Sequence, residues 1–252
     1  MSSTTVSKRR TPSRKCPDTT EAACLHCKLL DLQRCSGNST APSGISHLQL
    51  SKGAVLMNSQ QPFRGIHVVR TGCFKSFTLQ EHYGEQILSF HLPGELIGLD
   101  ALHSDAYNYN VQALEPSQVC LLSREELRRL KETSPSFQES LIRVLVEQVK
   151  QDQRQSLMVG KRTAEERLGA FFLNLAERYA KQGLPANGFR MPMMQIDIAN
   201  HLGLAMETVS RTLRGFREME LMNIQAKQVR ILNPGCLQSI TQYCLQASPT
   251  PE

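Results

Sequence analysis

The stretch Gln195–Arg214, QIDIANHLGLAMETVSRTLR, decides the fold. Ile196, Ile198 and Leu202 mark one apolar face, Gly203 interrupts the pattern, and Leu204, Val209 and Leu213 begin another. This is the reading of two short helices joined by a tight turn. A helix-turn-helix needs a small residue where its helices touch, a turn residue four places on and an apolar anchor six places after that. Ala199, Gly203 and Val209 meet the three demands in order. The second helix presents Glu207, Ser210, Arg211 and Arg214 at the three- and four-residue spacings that share one side, with Thr208 beside them. An arginine donates in bidentate fashion to guanine and a glutamate accepts from the cytosine amino group, so such a face suits the major groove of DNA. The plainer alternative is a solvated polar face on a core helix. Against it stands the small-Gly-apolar register, which is independent of the charges and agrees with them.

Working outward, Phe189-Arg190-Met191-Pro192 predicts a short strand entering the two helices, and Asn223 to Leu232 a small hairpin after them, together a winged helix. Arg162 to Lys181 predicts an amphipathic helix with Leu168, Phe171, Phe172 and Leu175 on its apolar side, and a final short helix is expected after Asn233. Upstream, the chain from Pro135 to about Val159 has no internal Gly or Pro. Its positions Ile142, Leu145, Val149, Asp152 and Ser156 recur at 3, 4, 3 and 4 residues, a coiled-coil spacing that is apolar first and polar later. Two parallel copies bring their Asp152 side chains together. Like charges roughly 4 to 8 Å apart at an effective dielectric near 20 repel by about 2 to 4 kcal/mol, which makes such a dimer conditional. The competing reading packs this helix within its own chain and leaves Asp152 in water.

Ser123-Arg124-Glu125-Glu126 has the form of a capping box opening a helix to about Lys131. Between His47 and Leu122 short apolar runs alternate with turn signals: Ala54–Leu56, Gly65–Val69, Gly72–Phe77, Gln86–Phe90 and Val119–Leu122, with a sharp corner at His91–Gly98. Strands this short and this evenly spaced predict a β-sandwich or roll. Ala41 to Ser46 is read as a Pro/Gly/Ser linker.

The N-terminal residues 1–20, rich in Ser, Thr, Lys and Arg, are expected to form a disordered basic arm. Cys24 and Cys27 follow at the Cys-x2-Cys spacing that places two thiolates on one metal or cluster, and Cys35 arrives after seven intervening residues. Three ligands leave a fourth to be found among Cys16, Cys73, Cys120 and the pair Cys236 and Cys244. Zinc competes with an iron-sulfur cluster for this set, and incidental cysteines are the plain alternative. The length of 252 residues allows two domains and a connecting helix. The net charge of +6 divides as +4 over residues 1–40, −1 over 41–159 and +3 over 160–252, so both ends are basic and the middle is not. A basic C-terminal region carrying a helix-turn-helix fits double-stranded DNA as partner. No apolar run approaches the roughly 20 residues of a membrane span and no signal-peptide core is present, so no membrane partner and a cytoplasmic location are expected. Nucleotide loops and nucleophile-base constellations are missing from the sequence, and no enzymatic activity is expected.

On these residues the chain resembles the FNR branch of the CRP/FNR family of bacterial transcription regulators. The likeness runs from Cys24 to Leu232 and is most specific in GEQILSFHLPGELIGLDAL (84–102), VQALEPSQVC (111–120), KRTAEERLGAFFLNL (161–175) and GLAMETVSR (203–211). It implies an α+β chain: a disordered arm over 1–20, a cysteine cluster-binding loop over 21–40 and a cyclic-nucleotide-binding-like β-roll over 41–132. A dimerisation helix over 133–159 and a winged helix-turn-helix over 160–252 complete it. The resemblance further implies that Cys24, Cys27, Cys35 and Cys120 bind a [4Fe-4S] cluster, Cys120 standing where the family carries its last ligand. The implied protein is an oxygen-responsive homodimer, and the alternative keeps DNA binding but replaces the cluster with a thiol-redox or zinc site. Glu207, Ser210 and Arg211 match the family's DNA-reading positions. Met206 stands where the CRP branch has an arginine, so the implied target is similar to the half-site TTGAT in an inverted repeat. The segment Leu99–Asn110 lacks the arginine with which other members hold a cyclic phosphate, so no cyclic nucleotide is expected. The loop Gln80 to Gln86 resembles the family's RNA polymerase contact.

Overall fold

A computed structural model describes residues 45–82, 84–159 and 163–241. The basic arm, Cys16, Cys24, Cys27, Cys35 and Cys244 lie outside the described residues.

The described residues up to Ser76, with Phe90–Arg143, form one compact unit, and Phe77–Ser89 with the chain from Val144 onward form the other. The strands of the roll are β1 (Ile45–Leu50), β2 (Val55–Met57), β3 (Gly65–Thr71), β4 (Phe74–Gln80), β5 (Gly84–His91), β6 (Leu96–Ile97), β7 (Asn110–Ala113) and β8 (Ser117–Ser123), the Phe77–Ser89 portion of β4 and β5 being counted with the second unit. They make two four-stranded sheets in the orders β1-β8-β3-β6 and β2-β7-β4-β5. Ile66, Phe74, Phe90, Ile97, Val111 and Leu122 are buried between them. Alternation of side chains along each strand sets these residues inward. Glycine is required at Gly65. Its φ is +142°, and a Cβ there would lie 2.0 Å from the Leu122 carbonyl oxygen, so only a bare backbone allows β3 to pair so closely with β8.

Three details depart from the sequence reading. Strand β1 begins at Ile45, inside the stretch read as linker, because all six of its residues find antiparallel partners on β8. The corner at His91–Gly98 contains the two-residue strand β6, paired with His67 and Val68. Strand β7, whose Asn110 and Gln112 alternate with Val111 and Ala113, is too short and too polar to show as an apolar run.

Helices α1 (Arg124–Thr133) and α2 (Pro135–Val159) follow the roll. Ser123 opens α1 as expected, its hydroxyl accepting from the Glu126 N–H at 3.2 Å. Glu126 does not reach back to complete the box. Its carboxylate is forked onto the Arg129 guanidinium, the Nε bond being 2.9 Å, and this partner holds its pKa below the usual carboxylate range.

The second unit contains the later part of α2, then α3 (Ala164–Ala180), β9 (Gly188–Arg190), α4 (Gln195–Leu202), α5 (Met206–Glu218), β10 (Met222–Gln225), β11 (Gln228–Ile231) and α6 (Pro234–Thr241). A full capping box starts α3: Thr163 Oγ1 accepts from the Glu166 N–H and Glu166 Oε2 from the Thr163 N–H. The three strands form one sheet in the order β10-β11-β9, the wing predicted from the sequence. Ala226 and Lys227, at φ 47° and 69°, close its hairpin in the left-handed region that a two-residue turn of this hand demands.

Candidate DNA-reading face and cysteine site

The turn between α4 and α5 is built as the small-Gly-apolar register requires. Gly203 sits at φ +63°, its N–H donates to the Asn200 carbonyl, and the Leu204 N–H donates to the Ala199 carbonyl at 2.9 Å. This is the pairing that satisfies the last carbonyls of a helix when its next residue turns left-handed. At the start of α4 the buried Asp197 carboxylate accepts from the Met194 N–H at 3.1 Å. Ile198, Ala199, Leu202 and Val209 are buried, with Thr212 and Phe216 continuing the inner face of α5. Ile196 is not part of that face. It is 56% exposed, because it lies two positions before Ile198, some 200° around the helix. Leu213 is half-buried, Thr212 taking the innermost place on that turn.

Glu207, Ser210, Arg211 and Arg214 are all exposed on the outer side of α5 and Thr208 is half-buried beside them. The helix therefore offers two guanidinium groups, a carboxylate and a hydroxyl on one face, a mixture able to donate to guanine and accept from cytosine.

Within this same unit the β4–β5 hairpin is tied to α4. The Asn200 side-chain amide accepts from the Ile87 N–H at 2.7 Å and donates to the Glu85 carbonyl at 2.6 Å. Asn200 thereby behaves like one residue of a further strand along β5. Gln86 Nε2 donates to the Asn200 carbonyl, and His201 Nδ1 lies 3.3 Å from the Ile87 carbonyl. The sequence reading of this hairpin gives the apolar run Gln86–Phe90 and a likeness of Gln80 to Gln86 to a polymerase contact, with no tie to α4. Asn200 has the polarity of any exposed helix residue, so nothing in the sequence marks this use of it.

The seam of α2 is apolar and uncovered in the single chain: Ile142 is 61% exposed and Val149 55%. Val146, also exposed, joins the same stripe, while Leu145 is half-buried. Asp152 and Ser156 are exposed further along. Asp152 accepts a hydrogen bond from Gln148 Nε2, and Ser156 donates to its backbone carbonyl.

Cys120 lies on β8 and is 7% exposed. Its register partner on β1 is His47 and on β3 is Val68. The Cys120 Sγ and His47 Nδ1 are 3.3 Å apart, and burial together with the Arg70 guanidinium lowers the pKa of that imidazole from its ordinary value. Of the other described cysteines, Cys73 is buried with its Sγ 3.7 Å from the Phe74 carbonyl, and Cys236 is exposed on α6. Among the described residues no three His, Cys, Asp or Glu side chains are grouped to hold a metal. Strand β1 nevertheless brings the chain that follows Cys35 alongside Cys120. The intervening residues between Cys35 and Ile45 span up to about 35 Å when extended.

The segment Leu99–Asn110 is held by its own groups. Tyr107 is buried and donates to the Gly65 carbonyl at 2.8 Å, and Asn108 Nδ2 donates to Asp100. The Arg124 guanidinium that reaches this segment is paired with Asp105 at 2.8 Å.

Residues 47–134 match the family described as Cyclic nucleotide-binding domain, and residues 166–240 that described as Crp-like helix-turn-helix domain. The chain is 39% identical over 185 residues to the transcriptional activator protein Anr of Pseudomonas protegens, covering 73% of this chain and 76% of that one. The chain belongs to the CRP/FNR family of transcription regulators. A second CRP/FNR relative, the fumarate and nitrate reduction regulatory protein of Vibrio cholerae, is 38% identical over 184 residues, 73% of this chain and 74% of its own. Among solved structures, FixK2 from Bradyrhizobium japonicum superimposes with a TM-score of 0.70 at 25% identity, covering 78% of this chain and 96% of that one. The α+β architecture of roll, helices and helix-turn-helix is thus that of CRP/FNR regulators, and the relatives are regulators rather than enzymes. Among the described residues no helix is long and apolar enough to cross a membrane.

Proposed function

We propose that this CRP/FNR regulator responds to oxygen through a [4Fe-4S] cluster held by Cys24, Cys27, Cys35 and Cys120. On this reading it dimerises along α2 and binds an FNR-type inverted repeat in double-stranded DNA. The observation that carries the proposal is the pairing of β1 with β8, which sets the strand following the Cys24–Cys35 segment directly beside Cys120. The thiol at that place has a nitrogen neighbour suited to a thiolate, so the donor chemistry fits the group. When bound, the cluster supplies an oxygen-labile tie between the N-terminal loop and the roll. The chain's own part is threefold. The four sulfurs hold the loop, the Ile142–Val149 stripe buries against its twin, and Glu207, Ser210 and Arg211 read bases while Thr208 and Arg214 lie beside them. Like charge at Asp152 opposes that pairing, so that the dimer forms only with added support from the loop.

The division of labour follows the sequence boundaries: arm 1–20, cysteine loop 21–40, roll 41–132, dimerisation helix 133–159 and DNA-binding region 160–252. The exposed residues of the loop Gln80 to Gln86 form the face offered to RNA polymerase. No cyclic nucleotide is required, since the segment 99–110 carries no arginine to hold a cyclic phosphate. The site of action is the cytoplasm.

The imidazole beside Cys120 favours one competing reading, a zinc or thiol-redox site in place of the cluster, because nitrogen and sulfur are the donors zinc takes. Anaerobic purification with counts of iron, acid-labile sulfide and zinc separates the two. The expected result is iron and sulfide in equal amounts, with Cys120→Ala losing both as completely as Cys24→Ala. Normal iron in the Cys120→Ala protein would reassign the fourth ligand, and zinc without iron would establish the competitor.

A further inference from the structure

We infer that His47 is the positioning residue for the Cys120 thiolate, its Nδ1–H donating to the sulfur and fixing the side chain in the orientation from which it serves as ligand. The inference rests on the cluster reading above and adds a residue to it.

Three observations converge on His47. It is the direct cross-strand partner of Cys120 in the β1–β8 ladder, so the backbone pairing itself fixes the spacing of the two side chains. The Sγ to Nδ1 distance of 3.3 Å lies within hydrogen-bond range for sulfur. The third is where β1 stands in the chain. This strand follows the Cys24–Cys35 segment, so a single stretch of backbone carries three proposed ligands and the group that orients the fourth.

The chemistry follows from the sulfur's charge. A ligating thiolate has lone pairs to spare, and an N–H donor stabilises it while restricting χ1 of the cysteine. Hydrogen bonds to cluster sulfurs are among the levers that tune such centres, and loss of an orienting partner typically costs 10- to 100-fold in metal affinity or activity. The imidazole sits half-buried at the edge of the sheet, so it also limits the approach of water and oxygen to that sulfur.

The experiment has two arms on the full-length chain. In cluster-free protein, ring-nitrogen NMR of His47 reads the contact directly: Cys120→Ala should shift the Nδ1 resonance, and an unmoved resonance would overturn the inference. In anaerobically reconstituted protein, His47→Leu should lose visible cluster absorbance in air about 10-fold faster than wild type, with a changed iron-thiolate stretching frequency at one ligand. His47→Gln, which keeps an N–H donor at similar reach, should restore most of the lifetime. Equal lifetimes for wild type and His47→Leu would overturn the inference while leaving the cluster intact. A wild-type chain that takes up no iron would sink the cluster reading instead, and the NMR arm alone would then decide whether His47 holds Cys120.

Discussion

At the scale of single residues, the reading face and the buried histidines make separable demands. Arg211 stands exposed on α5 next to Glu207 and Ser210, and on the proposed reading its guanidinium would fork onto the O6 and N7 of one guanine. Arg211→Ala should therefore weaken specific binding by about 1 to 3 kcal/mol and relax preference at one base pair. Fluorescence anisotropy on a panel of single-base operator variants checks this, and an equal loss on every sequence would make the residue a phosphate contact. His67 in the roll and His201 on α4 are both buried, and burial pushes each imidazole down to about 4. For His201 the Ile87 carbonyl opposes that shift and Arg178 adds to it. No hydrogen-bond partner meets His67 Nδ1 among the described residues. A histidine depressed in the folded state binds its proton more readily when unfolded. Stability from this source is then full above about pH 6.5 and declines toward pH 4, by up to about 3 kcal/mol for each ring. Thermal melts across that range should show the decline, and His67→Gln should make it shallower. A slope unchanged by the substitution would mean that another group titrates there.

Among the elements, α2 carries the most consequential choice between partners. Ile142, Val146 and Val149 expose apolar surface along one stripe, and Asp152 follows a turn later on the same helix. In a parallel pair the first three attract and the aspartates repel, so Asp152→Ala should shift the monomer–dimer equilibrium of cluster-free protein toward dimer by about 10-fold or more. Sedimentation velocity measures it, and an unchanged profile would place Asp152 off the seam. Legibility from sequence follows the same logic of periodicity. The helices α2, α3, α4 and α5 and the wing were readable because their apolar spacing and their Gly and Ser/Thr punctuation are local signals. Strands β1, β6 and β7 were not, because what makes them strands is a partner far away in the chain: β8 for Ile45–Leu50, β3 for Leu96–Ile97 and β2 for Asn110–Ala113. The same holds for the sites. Glu207, Ser210 and Arg211 declare themselves by helical spacing, whereas the Asn200 amide bonded to Ile87 and the His47 ring beside Cys120 arise only when separate segments meet. The exposure of Ile196 has a local cause, since two positions on a 3.6-residue helix place it on the side opposite Ile198.

For the whole molecule, binding a palindrome demands geometry as well as chemistry. One α5 face reads only a few base pairs, and a lone half-site offers too few contacts to compete with the non-specific affinity that a basic protein has for any DNA. Two faces joined through α2 convert the second encounter into an intramolecular one, raising affinity by a factor of 10² to 10⁴ provided both half-sites face the same way. Half-sites one helical turn apart, roughly 34 Å, satisfy that condition. Adding about 5 base pairs at the centre rotates one half-site to the far side of the duplex and denies it to the second subunit. Cluster-loaded protein should then bind the lengthened operator at least about 100-fold more weakly than the original, with affinity close to that of a single half-site. Insertion of a full turn, about 10 base pairs, should not restore binding, because a dimer held along α2 cannot stretch its reading faces by another 34 Å. Anisotropy titrations at fixed salt distinguish the outcomes. Equal affinity for the original and the half-turn operator would mean that each chain binds alone, and the conditional dimer would lose its role in controlling DNA occupancy.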